Sequence, residues 1–262
     1  MHRAVTAARQ VRAIAGLTVL EALRGRLLWL VAVVLLAGFG LAELLGALAV
    51  TETRQVQASI LAAVLRLAAV VVTCLFVITS VVREFNDKVV ELYLSLPLPR
   101  AAYYLGKLTG FAAFAAFAAL LFGALLLLYA NPLQVLLWSA SLLAELLIVV
   151  AASLLALFTF SQVTVALSVV LAFYLLSRGI GAIQLMSQGP LVDPQAFSSK
   201  AIEWLVDGLA FLVPDLYRFA PSEWLVYGTG DWAALAPLLA QTAVYVTLLV
   251  GAGLFDLYRK NL

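Results

Sequence analysis

Six runs in this chain, at about residues 27–50, 60–82, 102–129, 134–160, 163–185 and 233–256, are each long and apolar enough to cross a bilayer. A helix needs roughly 20 mainly apolar residues for that. The runs are continuously apolar and lack a period of two, so they predict helices and not the strands of a barrel. Of the 262 residues 65% are hydrophobic and 11% charged, against roughly 25% charged in soluble domains. A soluble core could not hide this much apolar surface, and lipid is the solvent the sequence calls for. The first run follows a basic stretch and is longer than the roughly 7–15 residues of a signal-peptide core. It therefore predicts an uncleaved first span, despite the small-residue pattern Ala47-Leu48-Ala49.

Lys and Arg set the expected orientation. Arg3, Arg9, Arg12, Arg24 and Arg26 precede the first run; Arg83, Lys88, Arg100 and Lys107 lie between the second and third; Arg259 and Lys260 close the chain. With six spans these regions fall on one side, which predicts both termini in the cytoplasm. The expectation is an all-α membrane protein with a single transmembrane domain over 1–262. It comprises a cytoplasmic interfacial segment (1–26), two spans (27–82), a cytoplasmic helix and turn (83–101), three spans (102–185), an external interfacial segment (186–232), and the last span with its tail (233–262). In the external segment Trp204, Trp224 and Trp232 are expected near headgroup level.

Several chemistries are poorly served. The one histidine is His2, and the one cysteine, Cys74, lies in an apolar run and reads as a packing residue. A net charge of +2 does not suggest nucleic acid. No Gly-x-x-x-x-Gly-Lys-Ser/Thr is present, so the chain has no P-loop to cradle ATP phosphates.

The longest polar island outside the terminal and external segments is REFNDKVVELYLSLPLPRAAYYLGK, residues 83–107. On a helix over 83–96, Phe85, Val89, Leu92 and Leu96 share one face, and Glu84, Asp87, Lys88, Glu91 and Ser95 the other. Pro97 stops it and Pro99 makes a rigid turn into the next span. The pattern fits either an amphipathic helix resting on lipid or a stiff element that docks a soluble partner. Three acids against one base make the polar face a poor match for an anionic leaflet.

Arg83-Glu84, Glu91-Leu92, Ser95-Leu96-Pro97-Leu98-Pro99-Arg100 and Gly106-Lys107 together resemble the signature of ABC-2 type transporter permeases, the membrane subunits of type V ABC transporters. Weaker likenesses are Glu21 to Arg26, Phe211 to Leu216 with Phe219 and Val226-Tyr227-Gly228, and Leu254-Phe255 with Arg259 to Leu262. The resemblance implies the ABC-2 permease fold in a bacterial or archaeal cytoplasmic membrane. It also implies pairing with a second permease copy or paralogue, and two copies of a separate ATP-binding subunit that holds ATP and Mg. The coupling helix that enters the ATPase would carry Arg83, Glu84, Asp87, Lys88 and Glu91, with a second, smaller contact near Ser161-Gln162. No cofactor is expected in this chain.

Glu43, Arg66, Glu145 and Arg178 fall inside spans, where charge is costly and faces protein or a wet cavity. Glu43 and Arg66 are each about 17 residues from Arg26 and Arg83, roughly 25 Å at the helical rise. Glu145 and Arg178 are each about 16 residues from Ser161-Gln162, roughly 24 Å. One level in the outer half of the bilayer is expected, with pairs Glu43–Arg66 and Glu145–Arg178, or else a substrate route. The function expected is a permease, and the family resemblance implies an exporter; the alternatives are a lipid-modifying membrane enzyme and an ATPase anchor that transports nothing.

Overall fold

A computed structural model describes residues 2–25, 27–48, 53–87, 99–160, 162–187 and 197–259, and among these the regular structure is all helical. The helices are α1 (His2–Arg24), α2 (Leu27–Leu48), α3 (Thr53–Asn86), α4 (Arg100–Leu126), α5 (Pro132–Phe160), α6 (Val163–Ser187), α7 (Phe197–Leu212), α8 (Ser222–Tyr227) and α9 (Trp232–Arg259), with a 3-10 turn at Leu216–Phe219 between α7 and α8. Six of them, α2 to α6 and α9, are long and apolar enough to cross a membrane. They match the six expected runs, and the weak break near Ser161-Gln162 falls where α5 ends and α6 begins.

Local chemistry sets the ends. Pro99 precedes α4 in an extended conformation, and its carbonyl accepts the N–H of Ala102. Asn131 caps α5: its Oδ1 accepts the N–H of Leu133 at 3.0 Å, and Pro132 takes the first helical position, where its missing N–H costs nothing. Gly228 ends α8 with φ 68°, a left-handed conformation that suits glycine.

Helix α5 is the centre of the bundle and packs against α3, α4, α6 and α9. Leu142, Leu146, Val149, Val150 and Leu154 are buried along it. The outermost spans, α2 and α9, leave Leu36, Leu44, Val244, Leu248 and Phe255 exposed. Such surface is solvated by acyl chains without penalty. The aromatic triplet of α4 divides: Phe111 and Phe114 pack on Phe76 of α3, at ring separations of 5.3 and 4.8 Å, while Phe117 faces outward. Cys74 is buried and free.

The helices do not start and stop at common levels. On α3, Gly38 of α2 sits beside Leu61 and Leu65, and the carbonyl of Ala42 accepts from Gln57 at 2.8 Å. Extrapolating that antiparallel register, Leu27 lies opposite the residues near Val72. The remainder of α3, about 14 residues or roughly 20 Å, runs on past the start of α2. Helix α1 lies against α4 at this overhang, with Ile14 on Gly106 and Thr18 on Gly110, so the two helices run in the same direction. At the same end Arg100, opening α4, donates to the carbonyls of Leu257 and Tyr258 in the last turn of α9.

The tryptophans of the segment before α9 differ in exposure. Trp204 and Trp232 are exposed, but Trp224 is buried with Leu216 and Phe219 in the core. Gln134 of α5 fixes the loop beyond it. Its Nε2 donates to the carbonyls of Gly228 and Gly230 at 3.1 and 3.2 Å, and its Oε1 accepts from the Gly230 N–H at 3.1 Å. Gln134→Leu removes three part-buried hydrogen bonds to the loop backbone, at about 0.5–1.5 kcal/mol each. The expected result is faster hydrogen exchange at residues 228–231 with unchanged exchange in α4.

Candidate functional site

The sequence places a separate helix from Arg83 onward. In the structure Arg83 to Asn86 instead form the last turn of α3, continuous with the span, and Asp87 follows as a turn. Lys88 and Glu91 lie outside the described residues. The expected coupling residues are also divided. Arg83 and Asp87 are exposed, whereas Glu84 points into the bundle. Its Oε2 accepts from the Tyr103 hydroxyl at 2.9 Å, and its Oε1 accepts from the Lys107 ammonium. Beside it, Phe85 meets Phe158 of α5 edge to face at 6.0 Å.

Lys107 is 2% exposed and lies within 3.9 Å of Glu21 on α1 as well. Glu21 in turn accepts from Ser80 of α3 at 2.7 Å. One ammonium thus sits between two carboxylates from α1 and α3, with the Phe111 ring 5.5 Å below it. The arrangement ties α1, α3 and α4 together beneath the exposed pair Arg83 and Asp87. Close approach of the helices makes it feasible: Gly106 and Gly110 present a bare strip of α4 to α1, the small-xxx-small device of membrane helix packing.

The four intramembrane charges are not two neighbouring pairs. Glu43 bonds not to Arg66 but to the Tyr129 hydroxyl, at 2.8 Å, past the end of α4. The reason is register. Ala42 is level with Gln57, so Arg66 lies nine residues further along α3, roughly 14 Å away along the axis. Counting from Arg26 and Arg83 assumes that those residues share a level, and the overhang of α3 removes that assumption.

Arg66 pairs with Glu145 instead. Its Nη1 donates to Oε2 at 2.5 Å, its Nη2 donates to Ser141 Oγ at 3.0 Å, and its guanidinium lies 5.0 Å from the Trp138 ring centroid. Arg178 does approach Glu145 as expected, with Nη1 3.6 Å from Oε1, too long for a hydrogen bond. Tyr174, one turn before Arg178, is buried against the same carboxylate. Glu145, 13 residues into a 29-residue helix, therefore sits at the middle of α5, between two arginines. Among the described residues Gly179 and Gly181 make no close packing: nothing lies within 4 Å of a Cβ position at Gly179, and only Asp215 Oδ1, at 3.9 Å, at Gly181.

No protein-family model matches this sequence, and no curated protein matches it either. The geometry therefore carries the functional reading. Among the described residues no cluster of His, Cys, Asp and Glu is placed to hold a metal ion. At the end opposite the Lys107 cluster, a hollow of about 430 Å³ opens between α3, the α4–α5 turn and α8, lined by Arg54, Gln55, Tyr129, Asn131, Gln134 and Val226.

Sequence reasoning missed Glu21 and Ser80 as partners of the island, Tyr103 as a partner of Glu84 within it, and Trp138 and Ser141 as partners of Arg66. Two signals were present. Gly106 and Gly110 stand four apart. Trp138, Ser141 and Glu145 follow at three and four, one helix face.

Proposed function

We propose that this chain is the membrane permease subunit of an ABC-2 type ABC transporter, working as an exporter. In this reading two copies of a separate ATP-binding subunit supply the energy, and a second permease, identical or paralogous, completes the transport path. The cytoplasmic side is the end that carries α1, the end of α3 and the last turn of α9. The carrying observation is the polar run that closes α3 and opens α4, with Arg83 and Asp87 exposed at its start.

The packing beneath that run suits a force-receiving element. A push on the end of α3 passes through Glu84 to Tyr103 and Lys107 of α4, and through Ser80 and Lys107 to Glu21 of α1. Three helices then tilt as one body, with ATP hydrolysis confined to the partner. Glu84 is a positioning residue inside this body. Arg83 and Asp87 are the described residues that meet the ATPase.

The test is to purify the chain with its ATP-binding partner and to reverse the two exposed charges, as Arg83→Glu with Asp87→Lys. The expected result is loss of most of the permease-dependent ATPase activity and of co-purification, with the permease still folded. A complex that forms and hydrolyses ATP at the unaltered rate would sink the assignment of these residues. An ATP-binding protein that never co-purifies with the unaltered chain would sink the function itself.

A further inference from the structure

We propose that Arg178 binds the phosphate or carboxylate of an anionic amphipath whose tail lies along the outer face of α6. The inference rests on the transport reading only in calling this ligand a cargo. Its basis is the charge count in the buried cluster. Arg66 and Glu145 neutralise one another at hydrogen-bond distance, with Ser141 and Trp138 completing the surroundings of Arg66. The groups around Glu145 other than the two arginines, Ser141 and Tyr174, are neutral at physiological pH, and Glu43 is bonded to Tyr129 elsewhere. Asp215, whose Oδ1 lies 3.9 Å from the Cβ position of Gly181, is itself paired through Oδ2 with Arg218 at 2.9 Å, so two guanidiniums share the Glu145 carboxylate and one positive charge is left over at a depth where charge is costly.

The surplus belongs to Arg178. Its Nη1 and the facing Oε1 of Glu145 are both buried atoms without a hydrogen-bond partner among the described residues. The Arg178 side chain is 32% exposed, against 1% for Arg66, so it alone is open to a ligand. A guanidinium offers a planar fork of donors that fits phosphate or carboxylate in two-point fashion.

The neighbouring surface favours a ligand with an apolar tail over a free anion. Leu175, Gly179, Ile183 and Met186 follow at helical spacing; Leu175, Ile183 and Met186 are exposed, and Gly179 opens a gap in the stripe. Arg178 lies nine residues before the end of α6, roughly 13 Å along the axis. A headgroup bound there is drawn inward from the helix end, as for a molecule in passage.

The experiment uses the full chain, without an ATPase, in nanodiscs of zwitterionic phosphatidylcholine, and titrates dodecyl phosphate, dodecylphosphocholine and inorganic phosphate. Saturable binding of dodecyl phosphate is expected, at least tenfold tighter than that of either other probe. Arg178→Gln should weaken it tenfold or more, and Arg178→Lys should retain most of it. If Arg178→Gln does not fold, Gly179→Trp fills the gap without touching the charge and should weaken dodecyl phosphate alone. Equal binding of the zwitterionic probe, binding of inorganic phosphate as tight as that of the alkyl phosphate, or indifference to these substitutions would overturn the proposal. Since no ATPase is present, such a failure leaves the permease reading untouched, and loss of ATPase coupling would leave this site untouched.

Discussion

Glu145→Leu is expected to be among the most damaging single substitutions in this protein. The carboxylate is fully buried in the middle of the central helix and faces two arginines. Removing it leaves Arg66, itself 1% exposed, with only Ser141 and an aromatic ring as partners among the described residues. Breaking one side of a buried ion pair costs about 3–5 kcal/mol, because the remaining charge is stranded. The expected result is a chain that fails to survive purification as a monodisperse species, or that unfolds at much lower denaturant in mixed micelles. The double variant Arg66→Met with Glu145→Leu should recover a large part of the loss, since replacing both partners strands no charge in the core. Arg178 then remains, and as a partly exposed side chain it can turn toward the interface. Equal stability of Glu145→Leu and the unaltered chain would show that the cluster is wet and not part of the packed core.

Gly110→Leu should release α1 from the bundle. A Cβ at Gly110 would stand 2.6 Å from Thr18 Cβ and 3.1 Å from the Ala15 carbonyl, and one at Gly106 would stand 2.7 Å from Ile14 Cβ. These neighbours are backbone and the first carbon of a side chain, so no rotamer change relieves the clash and the helix itself must move. Trypsin gives a direct measurement. Cleavage after Arg9, Arg12 and Arg24, all exposed but held in a docked helix, should become at least tenfold faster in Gly110→Leu or Gly106→Leu. Gly179→Leu, at a position with no atom of the described residues within 4 Å, is the control and should leave the rate unchanged. Unaltered protection in the Gly110 variant would mean that α1 is held by the Lys107 cluster and not by its fit to α4.

The spans themselves were legible, because their signal is local. Continuous apolar runs bounded by Arg83, Asn131-Pro132 and Ser161-Gln162 give six helices with ends near those observed. The breaks at Asn131 and Ser161 have the further support of a cap and of a polar pair. The partners of the charged residues were not legible, because depth along one helix fixes nothing about its stagger on the next. Glu43 and Arg66 are matched in sequence distance from basic residues, and the register at Ala42 and Gln57 still separates them. The role of Glu84 was hidden for a related reason. A helical wheel drawn from Arg83 treats the island as a new helix lying on a flat surface. Arg83 to Asn86 in fact continue α3, and the presence of α4 and α1 at that level turns Glu84 inward.

The seat of α1 on α4 also orders the making of the protein. Ile14 and Thr18 leave the ribosome about 90 residues before Gly106 and Gly110, which at roughly 5–20 residues per second is a wait of about 5–18 seconds. During it Leu17, Leu20 and Leu23, along with the face that later meets α4, must shelter at the bilayer surface or against the insertion machinery. Helix α1 is therefore seated only after the two spans that follow it have been threaded and a third has begun.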